Sequence, residues 1–376
     1  MIPALSLLLV CSLVLWLSGG LISSQNAENV SGAPCDDCIK SQFGHSKRIF
    51  YIKTHKTGSS TVTGLLWREL CLRLQFNCFV PPASQAGKIW NLANTQDRMK
   101  IKRSKGSRGE GPLYDAWIHH VRYHMRIPTD LVQAPYLLVS SVRRPAHRFV
   151  SAWYWYNLEK TTRMPLSSFI YASNQSEGAM TGIQWRYRTG LDATSEELLG
   201  MELVTSDKAT YAKRLNDYLL PLIRFDKLVL IVCDRFDESL LILRHLLRFH
   251  SVAETRNHSE SNTLADIWTY LPQKVRSSNG SVQLTEELLQ VLDTIQPYDM
   301  LLYLEANRAL DRHIQEYGTE KFNVHLQQYR DRLRRVQLEC QNTYQSTARG
   351  DLDCHQLQVD NREAIGLYWN KDNLPG

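Results

Sequence analysis

Between Lys53 and Thr61 the chain reads Lys-Thr-His-Lys-Thr-Gly-Ser-Ser-Thr, a spelling whose side chains suit an anion. Lys56 supplies a mobile positive charge, and the hydroxyls of Ser59, Ser60 and Thr61 supply donors. If a helix begins here, the N–H groups of Thr57, Gly58 and the residues after them point out of its positive end, where a phosphate is stabilised. A Walker A loop places its lysine after the glycine cradle, whereas here Lys56 precedes Gly58. A second cationic corner, Arg143-Arg144-Pro145, is followed by Ser151, and Arg143 with Ser151 could hold a second phosphate by charge-assisted hydrogen bonds. His119, His120 and His124 concentrate three of the chain's 12 histidines, the side chain best matched to taking a proton near neutral pH. Each stretch also has a plainer reading. The first could be a capped helix start, the second an ordinary strand–helix corner with surface arginines, and the third a set of hydrogen-bonded packing histidines.

The elements around these residues favour a positioned site. Arg48 to Ile52 reads as a strand running into the first stretch, and Val62 to Leu70 as the helix after it. Tyr136 to Val142 is a second apolar strand, followed by an amphipathic helix from about 146 to 158 that Pro145 presets. Lys227 to Val232 is a third, leading straight into a helix from Asp237 to His250. Strands alternating with helices imply a parallel sheet with helical flanks, an α/β fold. Helices over 284–296 and 298–317 follow, and the charged segment Glu320 to Glu339 is expected to form a last long one.

Composition narrows the setting. A formal charge of +6 over 376 residues suits an anionic cofactor or substrate and is too weak to argue for nucleic acid. The chain carries no charge before Glu28, and Ile2 to Leu17 is mostly apolar and extended by Leu21-Ile22, which at about 20 residues is long enough for a membrane anchor or a long signal peptide. Asn29, Asn174, Asn257 and Asn279 each begin an N-glycosylation spelling, which agrees with entry into the secretory pathway. Disulfides are then permitted, with Cys35–Cys38, Cys71–Cys78 and Cys340–Cys354 as local candidates and a buried Cys233 left free. No metal is expected, because Cys35-x-x-Cys38 lacks a second pair and Val121 stands where the zinc spelling His-Glu-x-x-His needs its glutamate. The basic run Arg98, Lys100, Lys102, Arg103, Lys105 and Arg108 reads as a solvated loop or as a steering surface for an anionic glycan or lipid.

The two phosphate grips, in this order, resemble sulfotransferases that use 3′-phosphoadenosine 5′-phosphosulfate (PAPS). The first stretch is similar to their 5′-phosphosulfate loop, and Arg143 to Ser151 to their 3′-phosphate motif. Within that group the chain resembles the galactose-3-O-sulfotransferase family, whose loop carries Ala where Gly58 stands here, a change expected to be harmless to an anion loop. Phe236-Asp237-Glu238-Ser239-Leu240, Val275-Arg276-Ser277-Ser278 and Asp299-Met300-Leu301-Leu302-Tyr303 extend the resemblance. It implies a P-loop-like α/β fold, with an anchor or signal peptide over 1–23, a stem over 24–46, a catalytic domain over 47–317 and a helical or irregular extension over 318–376. It also implies PAPS held by Lys56, Thr57, Gly58, Ser59, Ser60, Thr61, Arg143, Ser151 and Arg276. His120 is implied as the catalytic base, with Lys56 balancing charge on the leaving phosphate. The acceptor implied is a galactose 3-hydroxyl on a glycolipid or glycoprotein, and the place is the Golgi lumen, reached through the N-terminal anchor, or outside the cell if the N-terminus is cleaved. An enzyme acting on glycosaminoglycan uronic acid, a glycan-binding protein that has lost catalysis, and a nucleotide kinase are the rival readings. The kinase is disfavoured by the order of Lys56 and Gly58 and by the secretory address, and the non-catalytic reading by the joint presence of Lys56, His120, Arg143 and Ser151.

Overall fold

The computed structural model describes residues 48–74, 76–79, 90–91, 96, 114–122, 131–132, 135–175, 191–201, 207–247 and 284–345. The strands in chain order are β1 (Arg48–Ile52), β2 (Trp90–Asn91), β3 (Ala116–His119), β4 (Val121–Arg122), β5 (Tyr136–Val142) and β6 (Leu228–Val232). Four of them form one sheet in the order β3-β1-β5-β6, and every pairing in it is parallel. β2 and β4 pair separately, also in parallel. The α/β expectation therefore holds. Strand β3 was not anticipated: Ala116-Trp117-Ile118-His119 is too short to show a period, and its histidine drew attention as chemistry instead.

Helices follow the strands. α1 (Ser59–Leu66) leaves β1 and continues as a π-helical segment, Trp67–Arg73. α2 (Pro145–Trp155) leaves β5, with α3 (Leu158–Thr162) and α4 (Leu166–Gln175) behind it. α5 (Ala193–Leu199), α6 (Lys208–Arg214) and α7 (Leu220–Arg224) precede β6, and α8 (Phe236–Leu246) follows it. α9 (Glu286–Thr294), α10 (Pro297–Tyr317) and α11 (Thr319–Gln345) complete the described chain.

Both sheet faces are covered, so the strands are apolar on both sides instead of alternating with polar residues. On one face Phe50, Ile52, Trp117, Leu138 and Leu230 join a core with Leu302, Ala306 and Leu310 of α10. On the other, Ile49, Tyr51, Ile118, Val139 and Ile231 meet Val62, Leu65 and Leu66 of α1 and Leu240 and Leu243 of α8. Each such side chain contributes about 1.5–3 kcal/mol on burial. A disulfide joins Cys71 to Cys78 as expected, and Cys340 is disulfide-bonded too. Cys233 is free, as expected, but half-buried.

The strand order carries the functional consequence. From β1 in the sheet interior the chain steps outward to β3, then returns past β1 to β5 and β6. The order reverses between β1 and β5, and open α/β sheets bind ligands in the crevice outside the carboxyl ends of strands at such a switch point. The expectations for residues 1–47, His124, the basic run over 98–108, the glycosylation spellings at Asn29, Asn257 and Asn279, and Arg276 lie outside the described residues. No helix among the described residues is long and apolar enough to cross a membrane.

Candidate functional site

Lys53 to Gly58 connect β1 to α1 across this crevice. The turn is tight: Lys56 and Gly58 both have left-handed backbone, with φ of 64° and 73°. Glycine adopts that conformation without cost, while lysine does so at some expense. No side chain caps the start of α1, and the first N–H groups of any helix lack intrahelical acceptors. Gly58 contributes its carbonyl to the N–H groups of Thr61 and Val62 at 3.0 and 3.3 Å. An anion at this turn would meet backbone donors that the fold itself leaves uncapped.

Beneath the turn lies a buried hydroxyl network. Thr54 Oγ1 donates to the carbonyl of Ser141 at 2.6 Å, and the Thr57 hydroxyl lies 2.8 Å from both Thr54 Oγ1 and Ser141 Oγ. Tyr51 OH reaches Ser141 Oγ at 2.9 Å, and burial pushes its phenol far up, so it stays protonated. Ser59 Oγ donates to the Thr54 carbonyl. The hydroxyls of Thr57 and Ser59 thus brace the turn from below. Ser60 and Thr61 are half-buried.

Lys56 rests with Nζ 4.0 Å from the ring centre of Trp155, in the last turn of α2. Burial, and then the nearby charge of Arg143, pull its ammonium down to about 8. Arg143 leaves the end of β5, and its Nε is buried without a hydrogen-bond partner among the described residues. Such an orphaned donor costs about 1–3 kcal/mol unless something accepts from it, so the position fits an anionic ligand oxygen. Its neighbour is different. Arg144 donates at 2.6 Å to both Asp293 and Glu286, and its backbone N–H meets Asp234 at 2.9 Å. Arg144 is a structural clamp. Ser151 lies half-buried on α2, one helical turn from His147 and one from Trp155, the residues that meet Asp234 and Lys56.

His120 follows β3 directly. Its Nδ1 lies 2.7 Å from the carbonyl of Lys53, which can only accept, so Nδ1 carries the proton and Nε2 keeps its lone pair. Burial, followed by the charges of Lys53, His55 and His119, holds its pKa well below the usual histidine value. The ring is therefore neutral at neutral pH, and Nε2 is ready to accept a proton. His119 points into the core and is 3% exposed, which separates it from its neighbour.

Two contacts had no signal in the sequence. His55 stacks on His120 with ring centres 4.1 Å apart and planes 12° apart. Glu197, on α5, accepts from the His55 backbone N–H at 2.8 Å and contacts its Nδ1. The separation of 142 residues hides that contact from any local pattern. Trp155 did lie in an aromatic run, but nothing local assigned it to Lys56.

The chain is 24% identical over 305 residues to the galactosylceramide sulfotransferase of Bos taurus, covering 77% of this chain and 63% of that protein. No solved structure matches it. The galactose-3-O-sulfotransferase family matches residues 2–358, far more than the site alone, and the chain belongs to that family.

Proposed function

We propose that this protein transfers a sulfuryl group from PAPS to a galactose hydroxyl, the 3-hydroxyl of a glycolipid or glycoprotein. The observation that carries this reading is the convergence of Lys56, Arg143 and His120 at the carboxyl ends of β1, β5 and β3, with the Arg143 Nε left for an acceptor. The uncapped start of α1, Lys56 and Arg143 suit a ligand with two separated anionic groups. The donor, when bound, supplies an activated sulfuryl group on a phosphate.

The protein's own residues have distinct tasks in this scheme. Nε2 of His120 takes the acceptor hydroxyl's proton as that oxygen bonds to sulfur. Lys56 and the N–H groups of Thr57 to Thr61 offset the charge that develops on the leaving phosphate. Arg143 and Ser151 hold the 3′-phosphate and so set the register of the reacting atoms. Arg276 belongs to the donor-side set by resemblance. A Golgi-lumenal, membrane-anchored enzyme is part of the proposal, supported by the apolar N-terminus and by the Cys71–Cys78 bridge.

The test is transfer of labelled sulfate from PAPS across an array of galactose-terminated glycolipids and glycans. Label appearing at galactose is expected. Binding of ATP with magnesium in preference to adenosine 3′,5′-bisphosphate, or label confined to uronic acid acceptors, would overturn the reading.

A further inference from the structure

We propose that Glu197 and His55 act together as a positioning pair for His120, with the carboxylate fixing one imidazole and that imidazole fixing the next by stacking. The inference rests on the reading of His120 as the base in sulfuryl transfer.

Three features of the geometry carry it. Both Glu197 carboxylate oxygens are used on a single residue, one by the His55 backbone N–H and one by its ring Nδ1. That double contact fixes the turn of the loop and the rotation of the ring together. The His55 and Glu197 side chains are only 10% and 11% exposed, so water competes little for either. The His55 ring then covers one face of His120. The opposite constraint on His120 is in its plane, through Nδ1 to the Lys53 carbonyl. A hydrogen bond in the plane still allows the ring to tilt about it, and a stacked neighbour removes that tilt. Together the two contacts leave Nε2 one direction to face.

Glu197 is itself held firmly. The N–H groups of Thr194 and Ser195, at the start of α5, donate to the buried carboxylate of Asp299 at 3.1 and 2.7 Å. The Asp299 N–H donates back to Asp192 at 2.7 Å, and Tyr211 OH donates to Ser195 Oγ at 2.9 Å. Fully buried Arg148 on α2 lies 3.6 Å from Asp299. The short helix that presents Glu197 is thus pinned to α10, α6 and α2. Such support is out of proportion for a surface carboxylate and suits one whose position matters.

Two variants separate the links. His55→Asn keeps a nitrogen close to the place of Nδ1 for Glu197 but removes the stacked ring. Glu197→Gln keeps the shape and removes the charge. Each is expected to lower kcat about ten- to a hundredfold, the scale for a reacting group misplaced by an ångström, with KM for the acceptor little changed. Calorimetry should find adenosine 3′,5′-bisphosphate bound within about threefold of wild type, since a positioning pair acts on rate and not on donor binding. Nitrogen-15 NMR of the imidazoles gives a readout independent of turnover. His120 should show the single Nδ1–H tautomer in the wild type and a mixture or broadened signals in both variants. Wild-type kcat in folded His55→Asn and Glu197→Gln proteins would overturn the proposal, as would an unchanged His120 spectrum in both. A wild-type protein that transfers no sulfate would instead overturn the base assignment, and the NMR arm would still decide whether the pair orders His120.

Discussion

A β-carbon built on Gly58 would lie 3.1 Å from Sγ of Cys233 and 3.6 Å from the Phe236 ring. The loop after β1 is therefore packed against the corner after β6 through Gly58, where a β-carbon would fit only if the Cys233 side chain gave way by a few tenths of an ångström. A methyl group at this position would meet both that contact and the φ of 73°, so glycine suits the loop, as expected. Gly58→Ala is expected to cost about 1–2 kcal/mol from the left-handed backbone alone, with more from the contact. Cys233→Ala should recover the contact part and leave the backbone part. Thermal unfolding of the two single variants and the double variant gives the coupling, expected at about 0.5–1.5 kcal/mol. Strict additivity would show that the two residues do not meet.

Lys56 sets an alkaline limit on donor binding. Its ammonium titrates at about 8 in the free protein, lowered first by burial and then by Arg143. The charged form binds an anion better, so affinity for adenosine 3′,5′-bisphosphate should be full well below that pH and fall as pH rises through it. The fall approaches about tenfold per pH unit once one proton must be taken up on binding. Lys56→Arg, whose guanidinium stays charged, should abolish this limb. Calorimetry across the range, with a flat wild-type profile, would remove Lys56 from the anion site. Trp155→Ala should release the ammonium, since a cation–π contact at an exposed ring (Trp155 is 61% exposed) holds it by about 0.5–1 kcal/mol.

Arg143 and Arg144 should respond in opposite ways. Arg143→Ala is expected to weaken donor binding by about 2–4 kcal/mol with little loss of stability, because its Nε has no acceptor to abandon among the described residues. Arg144→Ala should leave donor affinity near wild type and cost about 1–3 kcal/mol of stability, because Asp293 and Glu286 lose their partner. Binding and melting measured on the same samples decide it. The reverse pattern would exchange the two roles.

His120→Ala should lower turnover about 10²- to 10⁴-fold and leave donor affinity unchanged. Its neighbour His119, buried in the core, should cost stability instead. The acid limb of wild-type kcat should fall below the ordinary histidine range, because burial keeps His120 neutral to lower pH than a free imidazole. The sign follows from the base role: protonation at low pH removes the lone pair on Nε2. A limb centred at the unperturbed value, or a folded His120→Ala protein with more than about a tenth of wild-type turnover, would move the base elsewhere.

Local chemistry made much of this protein legible in its sequence. Apolar runs gave strands β1, β5 and β6 within a residue or so, because a strand buried on both faces needs continuous hydrophobicity. Pro145 marked the start of α2, and the close pair Cys71 and Cys78 bridged as their spacing suggested. Each of these rests on interactions among residues a few positions apart. Strand order does not, and it decided the rest. Placing β3 beside β1 set His120 against the Lys53 carbonyl, and placing β5 on the other side brought Arg143 near Lys56. The clamping of Arg144 by carboxylates from α9 is a contact that one sequence cannot assign to either arginine. Glu197 on His55 and Cys233 against Gly58 arise in the same way. Such contacts join residues that meet only when helices and strands pack, and a single chain carries no periodic trace of which distant partner fills a given space.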